Sequence, residues 1–168
     1  VGDLHAVGRV ANNLGNLGFF QGRFDEAAAA YSRSAAAKVQ SGDVRGRGVA
    51  ESNRALALRE LGSLAEAGRA TLAARSLALR VGDRRSEAIG CLSMAQLWLD
   101  VGGVHRAEEE LRRYDRLPVA SDILRLDAEV LRARFELLRG NLVASGEIAM
   151  SVFQEAQEAK VAGTAREA

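Results

Sequence analysis

The chain has 168 residues, 48% of them hydrophobic and only 5% aromatic, with one proline against 17 glycines. That length suits one domain or a stack of small units, and so little proline and aromatic content excludes a sandwich or barrel of many short strands and turns. Lys+Arg number 23 and Asp+Glu 22, so no net field draws the chain to nucleic acid or to an anionic membrane.

An apolar fraction dominated by alanine and leucine predicts helices throughout. The segments Val1-Gly2-Asp3, Ser41-Gly42-Asp43 and Val81-Gly82-Asp83 recur at a spacing of 40. The same spacing aligns Gly22 with Gly62 and Gly102, Ala27 with Ala67 and Ala107, and Asn13 with Asn53 and Ser93. In the first unit, about 1–40, a helix over 4–21 is followed by a Gly22-Arg23 turn and a second helix over 24–40. The second unit, about 41–80, repeats this with 44–61 and 64–80. The third, about 81–118, has 84–101 and 104–117. Past Leu117-Pro118 an offset of 38 carries Gly102 onto Gly140 and Ala95 onto Ala133. The fourth unit, about 119–160, is therefore a diverged copy with helices over 121–139 and 142–162, and 161–168 is a short tail. Its weaker match is the pattern of a terminal capping unit.

Local chemistry agrees with these limits. Glycine sits where each first helix must stop, and aspartate follows glycine at the joints, where it can cap the next helix. Small residues recur where paired helices would cross: Gly15, Ala55, Ala95 and Ala133 in the first helices, and Ala27, Ala67, Ala107 and Ser145 in the second. Phe24, Leu64, Val104 and Leu142 follow the turns. Each hairpin alone leaves an apolar face bare, so stability must come from stacking on neighbours.

The run Asn13-Leu14-Gly15, then Gly22-Arg23-Phe24-Asp25-Glu26-Ala27, then Tyr31, resembles a tetratricopeptide repeat. The second unit keeps Ala55, Gly62, Glu66 and Ala67, and the third keeps Trp98, Gly102 and Ala107. The period of 40 is similar to the long form of this repeat in spindle-orientation adaptors, kinesin light chains and bacterial signalling regulators. The resemblance implies an all-α fold, a right-handed superhelix (an α-solenoid) of about four helix-turn-helix hairpins forming one repeat domain over 1–168. First helices would line its concave side and second helices its convex back. The implied function is a non-catalytic scaffold that binds a protein or peptide partner in the groove. The competing reading is a sensor or oligomerisation segment of a larger bacterial signalling ATPase or transcription regulator.

On this resemblance the peptide-binding residues are Arg9, Asn12, Asn13, Asn16 and Phe20 from the first unit, Ser52, Asn53 and Leu56 from the second, and Ser93 and Gln96 from the third. Val49, Glu60, Ile89, Leu92 and Asp100, with Asp127, Leu131, Arg134 and Leu138 of the fourth unit, are likewise placed in or near the groove. An asparagine amide both donates and accepts, so Asn13 and Asn53 could hold an extended peptide by its backbone. They could equally tie adjacent hairpins together. Arg9, Arg54, Arg59 and Arg134 could clamp an acidic peptide, or be paired with nearby Glu60 and Asp100.

Catalysis finds little support, and the expectation is that the chain is not an enzyme and needs no cofactor or metal. His5 and His105 lie on different units without an acidic partner at ligand spacing. Cys91, the single cysteine, falls between Ile89 and Leu92 on an apolar face and reads as a buried structural thiol. Glu108, Glu109 and Glu110 precede Arg112, Arg113 and Arg116 and read as a solvated face rather than a nucleic-acid surface. No apolar run approaches the roughly 20 residues of a membrane span, and no signal-peptide pattern opens the chain, so the expected compartment is the cytoplasm. The start at Val1 points to a fragment of something longer. Phe19 and Phe20 cannot both face inward on one helix, so one is expected at the surface as a ligand anchor, a contact with an upstream repeat or a homodimer contact through an uncapped end.

Overall fold

The computed structural model describes residues 3–167, with side-chain surroundings for 3–158. Val1 and Gly2 of the first joint, and Ala168, lie outside the described residues. The chain forms eight helices and, among the described residues, no strand: α1 Leu4–Phe20, α2 Phe24–Gln40, α3 Val44–Glu60, α4 Leu64–Arg80, α5 Arg84–Asp100, α6 Val104–Asp115, α7 Asp122–Leu138 and α8 Leu142–Glu167. Consecutive helices pair into hairpins, and each hairpin packs on the next through α2 on α3, α4 on α5 and α5 on α7. The result is an all-α stack of the repeat-solenoid kind. Seventeen-residue helices joined by three-residue turns account for the period of 40.

The joints are built as the glycines and aspartates require. At the end of α3, Gly62 has φ +74°. The Ser63 N–H returns to Leu58 O at 2.9 Å and the Gly62 N–H to Arg59 O at 2.9 Å, a left-handed closure of the helix. Asp43 and Asp83 cap the next helices, accepting from Gly46 N–H at 2.8 Å and Ser86 N–H at 3.1 Å. Those backbone hydrogen bonds outweigh partial burial and hold both carboxyls below their ordinary range.

Two helix limits differ from the sequence expectation. Helix α6 stops at Asp115 rather than at 117, because Pro118 disfavours helical backbone at Leu117. Helix α8 continues to Glu167, so most of the expected tail is helical backbone; its alanine-rich sequence carries no proline to stop it.

The crossings rest on small residues. Ala27, Ala67 and Ala107 are each 0% exposed, and Gly15, Ala55, Ala95 and Ala133 are buried beside them. At Gly15 the fit is tightest: a β-carbon there would stand 2.5 Å from Tyr31 Cε1. Gly15→Ala is therefore expected to displace the Tyr31 ring and lower stability by about 1–3 kcal/mol, measured by urea unfolding; a cost below about 0.5 kcal/mol, the usual range of a neutral surface change, would show that the ring moves freely.

Packing is uneven along the stack. Hairpins three and four share a core of Leu92, Leu99, Leu111, Leu124, Leu131 and Phe135 with several alanines. Hairpins one and two share only Ala27, Tyr31 and Ala57, with Phe19 and Ala28 at the edge. The fourth hairpin keeps apolar side chains at its surface among the described residues. Ser145 is only half-buried, and Leu142, Val143, Met150 and Phe153 of α8 are exposed, since α8 has α7 as its one principal neighbour. Among the described residues no helix is long and apolar enough to cross a membrane.

Candidate functional site

The first helices of the hairpins line up side by side, and between α3, α5 and α7 they leave an open cleft of about 200 Å³. Ala55, Leu56, Leu92, Leu97, Val130 and Leu131 supply its apolar surface, and Arg59, Ser93, Gln96, Thr71 and Asp127 its polar positions. The register explains the composition. Leu56 and Gln96 are equivalent positions 40 apart, and Leu92 and Val130 are equivalent at the offset of 38.

Arg59 and Gln96 of the cleft belong to a charge network spanning three helices. Asp100 accepts from Arg134 Nη1 at 2.7 Å, from Arg59 Nε at 3.0 Å and from Gln96 Nε2 at 3.1 Å. Burial works against ionisation of Asp100, yet these three donors, Arg134 first, together hold its carboxyl below the ordinary range. The network fixes α3, α5 and α7 relative to one another and sets the long side chains along the cleft. Asp127 is exposed and, among the described residues, has no ion-pair partner. It is thus the acid of the cleft still open to an incoming cation.

The structure divides the ten peptide-binding residues expected from the sequence. Leu56, Ser93 and Gln96 come together in the cleft. Asn12 and Asn53 bond to each other, Nδ2 of Asn53 donating to Oδ1 of Asn12 at 3.3 Å, so this pair ties α1 to α3. Asn16 accepts from the Tyr31 hydroxyl at 2.9 Å and fastens α1 to α2. Asn13 and Arg9 are exposed, Ser52 is half-buried, and none of the three lines the cleft. Phe20 is 87% exposed at the end of α1, while Phe19 turns inward against Phe24 with ring centroids 5.3 Å apart. An amide side chain looks the same in sequence whether it faces a ligand or a neighbouring helix, so this division could not be read there. Thr71, Leu97 and Val130 are cleft residues that the sequence reading did not single out; equivalence of Val130 with Leu92 was the signal for one of them.

The arginine clamp is likewise redirected inward. Arg59 and Arg134 are held by Asp100, and Arg54 lies 3.4 Å from Glu51 on its own helix. Helix α6 also departs from the solvated face expected of it. Arg112 and Glu108 do pair at the surface, at 2.7 Å, but Glu110 is 6% exposed and bridges Arg75 of α4 at 2.7 Å and Arg113 at 2.9 Å. Gly90 of α5 leaves room for the Arg75 stem, since a β-carbon there would stand 3.1 Å from Arg75 Cβ. Cys91 is buried beside that pair; burial first, and then the Glu110 charge, push its thiol above the ordinary value. It is a packing residue in an environment that disfavours thiolate. Among the described residues no three His, Cys, Asp or Glu side chains gather as metal ligands would.

No family model matches the chain, and no curated protein matches it.

Proposed function

We propose that this chain is a binding module of the tetratricopeptide-repeat kind, without catalysis of its own, whose cleft between α3, α5 and α7 takes a segment of a partner protein in the cytoplasm. The observation that carries the reading is the cleft itself: an apolar floor with exposed Leu56 and Val130, a rim of Ser93 and Gln96, and an unpaired Asp127. Such a surface suits an aliphatic anchor side chain with a cationic or amide neighbour. The Asp100 network keeps the walls in place, which limits the ordering cost of binding. A second reading, a sensor or oligomerisation segment of a larger bacterial signalling ATPase or transcription regulator, is favoured by the apolar surface left bare at both ends of the stack.

The test is an affinity capture from lysate with the wild-type chain and the double variant Leu56→Glu, Val130→Glu, followed by calorimetry with the captured partner. Both side chains are exposed, so helicity and melting are expected to stay unchanged. Affinity is expected to fall at least about 30-fold, the loss of one binding hot spot. Equal affinity of the two chains for the captured partner would remove the cleft from its role.

A further inference from the structure

The turn between α5 and α6 departs from the repeat at four positions, and all four line one pocket. In register, Trp98 stands where the first two hairpins have Gly18 and Leu58, and Gly103 where they have Arg23 and Ser63. His105 stands where they have Asp25 and Ala65, and Arg106 where they have Glu26 and Glu66. The fourth hairpin repeats none of these, with Glu136, Asn141, Val143 and Ala144 at the equivalent positions. The four residues meet Phe135 and Arg139 of α7 across an open pocket of about 540 Å³. It lies at the turn edge of the stack and shares no residue with the cleft.

The departures depend on one another. A β-carbon at position 103 would stand 3.0 Å from Trp98 Cε3, so the glycine admits the indole to the turn. The Arg106 guanidinium lies over that ring, 4.9 Å from its centroid, and Arg139 lies over Phe135 at 5.3 Å. Stacking holds a guanidinium by its face and leaves its N–H edge free to bind a carboxylate.

The sign of the charge is also inverted here. Helices α2 and α4 begin with acids, whereas α6 has no acid in its first turn and carries Arg106 there. A cation is disfavoured at that end of a helix. Stacking on Trp98 offsets part of the cost but leaves the charge itself uncompensated. Among the described residues Arg106 has no ion-pair partner, whereas Arg139 lies 3.5 Å from Glu136, and Glu108 is held by Arg112 at 2.7 Å.

We propose that this pocket takes an acidic peptide segment of a partner protein, with a glutamate or aspartate carboxylate on the N–H edges of Arg106 and Arg139. Trp98 and Val104 supply apolar surface for the adjoining stretch of that segment. Two guanidiniums flanked by Glu108 and Glu136 suit a single carboxylate better than the continuous charge of a nucleic-acid backbone. The proposal stands whatever the cleft binds.

Trp98 is the one tryptophan of the chain, so its fluorescence reports on this pocket alone. End-blocked tetraglutamate is titrated into the purified 168-residue chain at fixed ionic strength. Tetraglutamine, inorganic phosphate and tetrathymidylate serve as separate probes. Binding is read from Trp98 emission and, independently of that ring, by calorimetry. A saturable response to tetraglutamate is expected, and none to tetraglutamine. Arg106→Glu restores the residue of the first two hairpins, so circular dichroism is expected to show unchanged helicity. It is expected to weaken binding at least about 10-fold, the loss of one charge-assisted hydrogen bond. Arg139→Gln is expected to weaken binding as well. Arg33→Glu makes the same change in net charge at an exposed arginine of α2 and is expected to bind as the wild type does. A wild type without a saturable response to tetraglutamate overturns the proposal, and so does wild-type affinity in either pocket variant. An equal loss in Arg33→Glu, or equal binding of tetraglutamine, overturns it by showing that the pocket does not select the carboxylate. Tighter binding of phosphate or tetrathymidylate than of tetraglutamate overturns it in favour of a phosphate or nucleic-acid ligand.

Discussion

Leu99→Ala is expected to lower the stability of the chain by about 2–5 kcal/mol, the range for truncating a leucine in a core that cannot collapse around the gap. Leu99 is 2% exposed and sits where α5, α6 and α7 meet, in the largest of the apolar clusters. A total stability of about 5–15 kcal/mol would leave little reserve after such a loss. In a stack whose hairpins touch only their neighbours, the damage should also be local. Urea unfolding measures the size of the effect. Amide hydrogen exchange measures its reach: α5, α6 and α7 should lose protection while α1 and α2, joined by a separate small cluster, change much less. A uniform loss of protection along the chain would show that the hairpins unfold as one cooperative block and not as a linear array.

Glu110→Ala is expected to cost about 3 kcal/mol, the lower end for removing one partner of a buried ion pair. The glutamate is held between Arg75 and Arg113, and its loss leaves the Arg75 guanidinium, only partly reached by solvent, without its anion. The cost comes mostly from the stranded charge rather than from the pair itself. Replacing both members with apolar residues of similar size, Arg75→Met with Glu110→Leu, is therefore expected to recover most of the stability. Thermal melts of the single and double variants decide the matter. A double variant as unstable as Glu110→Ala would mean that the pair contributes through its specific geometry at the α4–α6 joint.

Much of the architecture was legible because it depends on chemistry that acts over a few residues. Gly62 can only be followed by a helix stop in the conformation it adopts, and Asp83 binds a backbone N–H three positions on, so the hairpin limits fell within one residue for six of the eight helices. The two misjudged ends have local causes as well. Pro118 acts on Leu117 and shortens α6, and the length of α8 depended on a stop signal that its sequence does not contain.

The cleft was less legible, and for a different reason. Position on a first helix, shared by Asn12, Asn53, Leu56 and Gln96, does not say whether a side chain meets a neighbouring hairpin or open space. Asn53 reaches Asn12 across a sequence separation of 41 residues, and Asp100 gathers Arg59 and Arg134 from helices on either side. Those choices depend on interhelical distances that no single repeat contains.

The sequence by itself determined the period of 40, the eight helices, the small residues at their crossings and the turns between them, since each of these is decided by backbone conformation and side-chain volume within one hairpin. Only the tertiary structure decided which polar side chains are consumed in holding hairpins together, that Glu110 is buried rather than solvated, and that the cleft opens between α3, α5 and α7. Burial, hydrogen bonding and ion pairing between hairpins are properties of surfaces brought together across 34 to 41 residues of chain, and they exist only once the hairpins have stacked.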